Sequence, residues 1–500
     1  MTADIDRGRH REGQVQTYGG WRRTRSIGLF GLGPIGTTVV LGCMVVPMLL
    51  ASVSFTAAVA AALPALAIGA AATVRIEGAS IGHILVRRLR WTWGQAHGHT
   101  LYRAGGLTDH SRVWDLPGVM APTQLLSAPD DRGGTFGLVW NRRTGHLTAT
   151  LCCAAASTWL VDHRDADGWV DNWHSWLASL GYLPTVRAVA VTVDTAPEAG
   201  TTLQDGVLSR LAPTAPADTR RLMRELVARS PAVSADIDTR VSITFDPAAS
   251  PHRHPGVEEF AAEVSRQLSG LESALSSCGV AVLGRARAAE LVGVVRTAFD
   301  PADRGEVDRA LAAVDAREQD ALLTWGNAGP AGAHEGWDSY RHDSGTSVSW
   351  GWHEAPRQQV TSGVLARLLS PGRFAKRVTL VYRPMSAGEA ARLLEAQVNA
   401  AAFRDAYRRA QKRDESARDT ADRLRAQRAA AEEAQGAGVV LLSLHVTVTV
   451  LDGDQLAEAV ADVESRADQS KIRLRRLYGG QAAAFAAGLP GGLVLPRRGS

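Results

Sequence analysis

Few residues in this 500-residue chain have the types and spacing that chemistry requires. Gly31-Leu32-Gly33-Pro34-Ile35-Gly36 matches G-x-G-x-x-G. A dinucleotide turn of that form needs a strand before it, a helix after it and an acid about 20 residues on for the ribose. An arginine-rich segment precedes this one and the next acid is Glu77. The small residues therefore read as a site of close helix approach. Pro251-His252-Arg253-His254-Pro255 is the most metal-like cluster. Two histidines fall short of the four ligands of a structural zinc site, so it reads as a solvated loop. His334, Glu335, Asp338, His342 and Asp343 crowd one stretch and would form an enzyme site, within 326–354, only if the fold gathered them. None of the lysines, Lys376, Lys412 and Lys471, follows a glycine, so the chain has no P-loop to cradle nucleotide phosphates. Zincin and nucleophile-elbow motifs are also absent. The residues nominate no catalytic set, no cofactor and no metal.

The element that dominates the sequence is apolar. Ile27 to Val74 is a run of 48 positions without a charged side chain. One bilayer crossing takes about 20 apolar residues, so the length predicts two spans with a turn near Pro47 or Ala51–Ser54. A signal peptide core of about 7–15 residues is far shorter. Arg22, Arg23 and Arg25 precede the run, and Arg75, Arg87, Arg88 and Arg90 follow it. Basic flanks mark the cytoplasmic side. The expectation is a helical hairpin with both chain ends in the cytoplasm and Trp21, Trp91 and Trp93 at the interfaces.

Composition bounds the rest. Lys and Arg total 55 against 51 acids, a net charge of +4, too mild over this length to expect nucleic acid as a partner. Cys43, Cys152, Cys153 and Cys278 include no CxxC. Free thiols of this kind suit a reducing compartment.

The periodicities predict a membrane α-helical hairpin followed by α+β cytoplasmic domains. The segments are a disordered basic 1–26, the hairpin 27–74, a juxtamembrane linker 75–130, a first α/β region 131–325, a loop 326–346, a C-terminal α+β domain 347–490 and a tail 491–500. Phe136–Trp140 and Leu147–Cys153 read as a β-hairpin. Trp169, Trp173, Trp176, Leu177 and Leu180 share a helix face, read as core. Ser386 caps a long helix, 386–433, with Glu389 at the capping-box spacing. Its charged stretch Arg404–Arg428 carries acid-first i,i+4 pairs such as Asp414–Arg418, the pattern of a solvated helix. Strand, helix, strand, helix and strand follow one another to Leu477, as in a ferredoxin-like α+β unit.

Two stretches resemble known families. Tyr18-Gly-Gly-Trp-Arg-Arg23 followed by the charge-free run resembles the amino terminus of an actinobacterial family of integral membrane proteins. That family is encoded with mobile elements, beside PrgI-family membrane proteins and a VirB-type conjugation ATPase. Val446–Asp454, the helix to Ala467, Ile472–Leu477, Gln481–Phe485 and Gly488–Gly492 resemble the close of the non-catalytic amino-terminal domain of those ATPases. In that class the motor with its P-loop follows, whereas here the sequence ends at Ser500. The resemblance implies a membrane-anchored docking component of a conjugation-like, type IV secretion apparatus, multi-pass in the bacterial plasma membrane. Its implied partners are the bilayer, a secretion ATPase in trans and a PrgI-family protein, with a homo-oligomer also open. An EccE-like subunit of a type VII system, which also pairs two amino-terminal helices with a large soluble region, is the alternative.

Overall fold

A computed structural model describes residues 16–19, 34–76, 79–104, 115–131, 133–155, 161–197, 207, 210–229, 235–250, 256–317, 324–356, 358–410, 424, 427–433 and 438–493. The protein is a mixed α+β chain built on one large antiparallel sheet. Helices α1 (Pro34–Ala51) and α2 (Phe55–Thr73) precede it, packed on each other across a turn at Ser52-Val53. Ser54 caps α2, its hydroxyl accepting from the Ala57 N–H. Pro47 lies inside α1 rather than in the turn. Among the described residues α2 alone has both the length and the apolar composition to cross a membrane; Gly36–Ala51 is a shorter apolar helix.

The strands are β1 (Arg75–Ile76), β2 (Ala79–Ser80), β3 (Leu101–Arg103), β4 (Thr123–Pro129), β5 (Thr135–Asn141), β6 (Leu147–Ala155), β7 (Val186–Pro197), β8 (Ala235–Phe245), β9 (Val280–Arg285), β10 (Gly332–Glu335), β11 (Tyr340–His342), β12 (Gly345–Glu354), β13 (Ala375–Pro384), β14 (Val440–Val450) and β15 (Arg473–Arg476). The helices after α2 are α3 (Ile81–Ala96), α4 (His163–Ser179), α5 (Ala217–Arg229), α6 (Val257–Leu275), α7 (Ala288–Phe299), α8 (Arg304–Arg317), α9 (Ala387–Ala410), α10 (Leu456–Gln469) and α11 (Gln481–Ala487). β1 and β2 form a small ribbon of their own. The other strands form a single sheet in the order β3-β10-β11-β12-β14-β13-β7-β8-β6-β5-β4, with β15 beside β12 and β9 beside β6.

That order contains the same unit twice. β6, α4, β7, β8, α6 and β9 form strand–helix–strand–strand–helix–strand, with neighbours β9-β6-β8-β7. β12, the short helical turns Ser362–Leu369, β13, β14, α10 and β15 repeat it, with neighbours β15-β12-β14-β13. In both, the order is fourth, first, third, second. A preceding hairpin strand pairs with the start of each first strand: β5 with residues 147–149 of β6, and β11 with residues 345–347 of β12. The fourth strand takes the remainder of that edge. Each unit also has a helical excursion between its second and third strands, α5 in one and α9 in the other. The units meet along β7 and β13, two equivalent strands running antiparallel. Thr192 and Thr379 face each other at the centre of that seam, their hydroxyls 3.1 Å apart.

The two sheet faces differ in chemistry because strand side chains alternate. Leu147, Ala149, Leu151, Val241, Ile243 and Phe245 lie under Trp176 and Leu177 of α4 and Phe260, Val264 and Leu268 of α6. Val348, Trp350, Val378, Val446 and Val448 lie under Val463 and Ala467 of α10. Across the seam, Val378 opposes Val193 and Tyr382 opposes Val189, so these two cores share one face. Burying each large apolar side chain there contributes about 1.5–3 kcal/mol.

The opposite face is polar and still buried. Directly opposed hydroxyls pair as Thr148–Thr244 (3.1 Å), Thr150–Ser242 (2.9 Å), Ser347–Thr449 (2.8 Å) and Ser349–Thr447 (2.8 Å). The pairing removes most of the cost of taking each hydroxyl out of water. The small side chains also let α11 and the run 488–493 lie close on the sheet. Gln481 enters β12 as a ladder partner would: its amide accepts from the Ser349 N–H and donates to the Ser349 and Leu477 carbonyls. At Gly492, φ is +63° and a Cβ would overlap the Thr148 hydroxyl.

Several expected boundaries shift. Residues 332–335 and 340–342, expected within a loop, are strands β10 and β11, short enough that Gly and His dominated their composition. The expected linker 75–130 contains α3, β3 and β4; Pro129 ends β4 in the outermost position, where no neighbour needs its N–H. The expected Phe136–Trp140 and Leu147–Cys153 pair is present as β5 and β6. In the long helix, Ser386 N–H donates to the Glu389 carboxylate and α9 runs to Ala410. Residues 427–433 are helical, while the ion pairs expected between 404 and 423 lie outside the described side chains.

Candidate functional site

The stretch richest in reactive side chains, 334–343, is taken up by the fold. His334 pairs with Arg341 across β10 and β11, whereas His342 pairs with Ala333 and Glu335 with Tyr340. Alternation therefore sends His334 to one face and His342 and Glu335 to the other. His342 is 1% exposed; Nδ1 meets the Phe299 carbonyl at 2.7 Å and Nε2 the Ser347 hydroxyl at 2.8 Å. Burial pushes its imidazole down to about 4, so it is neutral. Glu335, its carboxyl raised by burial, accepts from the Ala482 N–H at 3.0 Å. Asp343 accepts from the Ala331 and Gly332 N–H groups and from Arg296. Asp338 lies 3.6 Å from Arg476. These five residues do not share a site. Among the described residues no group of three potential ligands could hold a metal; His252 and His254 lie outside them. Of the glycine motif, Pro34 opens α1 and Gly31–Gly33 lie outside the described residues.

Two hollows stand out among the described residues. One, of about 10 Å³ between the polar sheet face and Ala487, Leu489 and Gly492, has room for one water. The other is a groove of about 220 Å³ at the β11–β12 turn, lined by Arg341, Asp343 and Thr346. Beside the seam, the Asp194 carboxylate bonds both Arg240 and Arg377, the latter at 2.8 Å. Burial pushes Asp194 up, but the two guanidiniums together outweigh it and hold the carboxyl below its ordinary range.

The arrangement with a surface to offer is the apolar end of the chain and its two attachments. Met44, Met48, Phe55, Leu63 and Leu66 of α1 and α2 are each more than two-thirds exposed. An exposed apolar surface of this extent marks a site of contact with a membrane or with another protein. On the amino-terminal side, residues 16–19, the described part of the expected disordered segment 1–26, lie against the body. Tyr18 pairs with Val360 in an antiparallel bridge, and its hydroxyl donates to Asp167 of α4 at 3.0 Å. Burial, and then that carboxylate, raise the Tyr18 phenol. On the other side α2 passes to α3 through β1 and β2, and the Ile81 N–H donates to the Val74 carbonyl. Ser80 caps α3, accepting from the His83 N–H.

α3 is fastened to the second unit. Arg87 donates to the Tyr478 carbonyl at 3.4 Å, the Arg88 guanidinium lies 4.4 Å from the Trp337 ring, and Trp91 meets Trp337 edge-on at 5.7 Å. Of the flanking arginines, Arg87 and Arg88 thus bind the body; Arg90 is exposed. Arg75 opens β1, and Arg22, Arg23 and Arg25 lie outside the described residues. Trp91, expected at an interface, packs on Trp337, and Trp93 is the exposed indole. Sequence reasoning missed α3 as an element, though Leu85, Leu89 and Trp93 repeat at helical spacing.

No family model matches this chain, and no curated protein matches it.

Proposed function

We propose that this protein is a membrane-anchored docking component of a conjugation-like secretion apparatus. α1 and α2 form its two membrane spans, and the α+β body stays on the cytoplasmic side of a bacterial plasma membrane. The observation that carries the topology is the double attachment. Tyr18 before the hairpin and α3 after it both hold the same body, so both ends of the apolar run return to one side. The basic flanks put that side in the cytoplasm.

The docking role rests on the resemblance of the second unit to the non-catalytic domain of conjugation ATPases. The resembling residues, Val446 to Gly492, form the end of β14, α10, β15, α11 and the run across the polar face. The fourth-first-third-second strand order of both units is that of ferredoxin-like sandwiches, a scaffold whose sheet and helices present broad surfaces.

The test is purification of the tagged full-length protein from its native membranes in mild detergent, with mass spectrometry of what accompanies it. Recovery of a VirB-type ATPase and a PrgI-family protein is the expected result. Type VII core subunits would move it to an EccE-like role, and recovery alone would remove the docking role.

A further inference from the structure

We propose that α3 is an amphipathic helix lying in the lipid headgroup region, and that it holds the body flat against the membrane surface. This rests on the membrane reading of α1 and α2. α3 has two faces with different partners. Arg87, Arg88 and Trp91 turn toward Trp337 and Tyr478. Leu85, Val86, Leu89 and Trp93 fall on the opposite side at 100° per residue and are 55%, 56%, 60% and 59% exposed. That is a continuous apolar stripe with no cover among the described residues.

Lipid is the occupant that the surroundings specify. α3 begins beside the end of α2: a Cβ on Gly82 would lie 3.3 Å from the Ala71 carbonyl oxygen. The stripe therefore continues the exposed apolar surface of the hairpin. Between Glu77 and Asp109 there is no acid, while Arg87, Arg88, Arg90 and Arg103 fall in this interval. Arg87 and Arg88 face the body, so Arg90 is the arginine of α3 beside the apolar face; an apolar face with a basic residue at its edge and no carboxylate suits an anionic lipid surface. An indole near the stripe's end suits the headgroup level. A soluble partner's docking face would gain nothing from adjacency to the hairpin. The bilayer is already there.

Three single-cysteine labels on the full-length protein, with Cys43, Cys152, Cys153 and Cys278 replaced by alanine, test this in nanodiscs of phosphatidylethanolamine and phosphatidylglycerol. Leu63→Cys, Leu89→Cys and Leu222→Cys each carry a fluorophore whose emission is quenched by spin-labelled lipids, with the spin label either at the headgroup or deep in the acyl chain. Leu63 on α2 reports insertion and Leu222, on α5, reports the body. The expected result is that Leu63 loses emission to the deep label, Leu89 loses most of its emission to the headgroup label, and Leu222 loses none. A Leu89 label that behaves like Leu222 while Leu63 is quenched overturns the inference and leaves the anchor standing; a protein covering the stripe would give that result. An unquenched Leu63 overturns the anchor and the inference with it.

Discussion

At the residue scale, burial sets the state of two histidines, His342, which the sequence singled out, and His445 of β14, which it did not. Burial pushes each imidazole down to about 4. In the unfolded chain they take up protons near 6.5. Between those values the unfolded state binds more protons, so stability rises with pH across that window and is lost as pH falls from 6.5 to 4. The ceiling is about 1.4 kcal/mol per pH unit for each histidine. The apparent Tm of the detergent-solubilised protein should drop over that range. His342→Gln, which keeps a donor and an acceptor for Phe299 and Ser347, should flatten the drop; an unchanged slope would mean that His342 is not titrating as described. The burial behind this was not legible in the sequence. His342 stands in a stretch rich in Gly, His and Asp, and only the pairing of β10 to β12 carries it into the core.

At the scale of elements, legibility followed chemistry on the faces. β13 and β14 could be read because Val378, Leu380, Leu444, Val446 and Val448 alternate with polar residues. The alternation left the other face unread, because Thr and Ser are compatible with solvent or with a buried polar layer. They are covered by α11 and by residues 488–493, and paired hydroxyls make that cover tolerable. The cover depends on close approach at Gly492, where the backbone is left-handed and Thr148 is in contact. Gly492→Ala should cost about 1–3 kcal/mol, seen as a lower unfolding midpoint. Gly453→Ala, where a Cβ meets open space, should change it far less. Equal effects would mean that 488–493 does not lie on the sheet as described. α3 escaped notice for another reason. Its two faces bind the body and remain exposed, respectively, so neither a core stripe nor a solvated face stood out.

At the scale of the molecule, the doubled unit explains why one sheet spans what the sequence divides into 131–325 and 347–490. The seam between β7 and β13 joins equivalent strands, and the helices of both units cover one face. The repeat is invisible in sequence because the units share an order of elements rather than residues, and the first helix of the second is reduced to Ser362–Leu369. The hairpin, by contrast, announces itself through 48 uncharged positions. Its two attachments to the body lead to the central claim, that the chain enters the bilayer and returns with its body on the cytoplasmic side. The most direct test is protease accessibility of the full-length protein in sealed spheroplasts and in inverted membrane vesicles, after an alkaline wash that strips peripheral proteins. The account predicts retention in the membrane, with the body cleaved only in inverted vesicles. Release by the wash, or cleavage of the body from outside the spheroplasts, would contradict it.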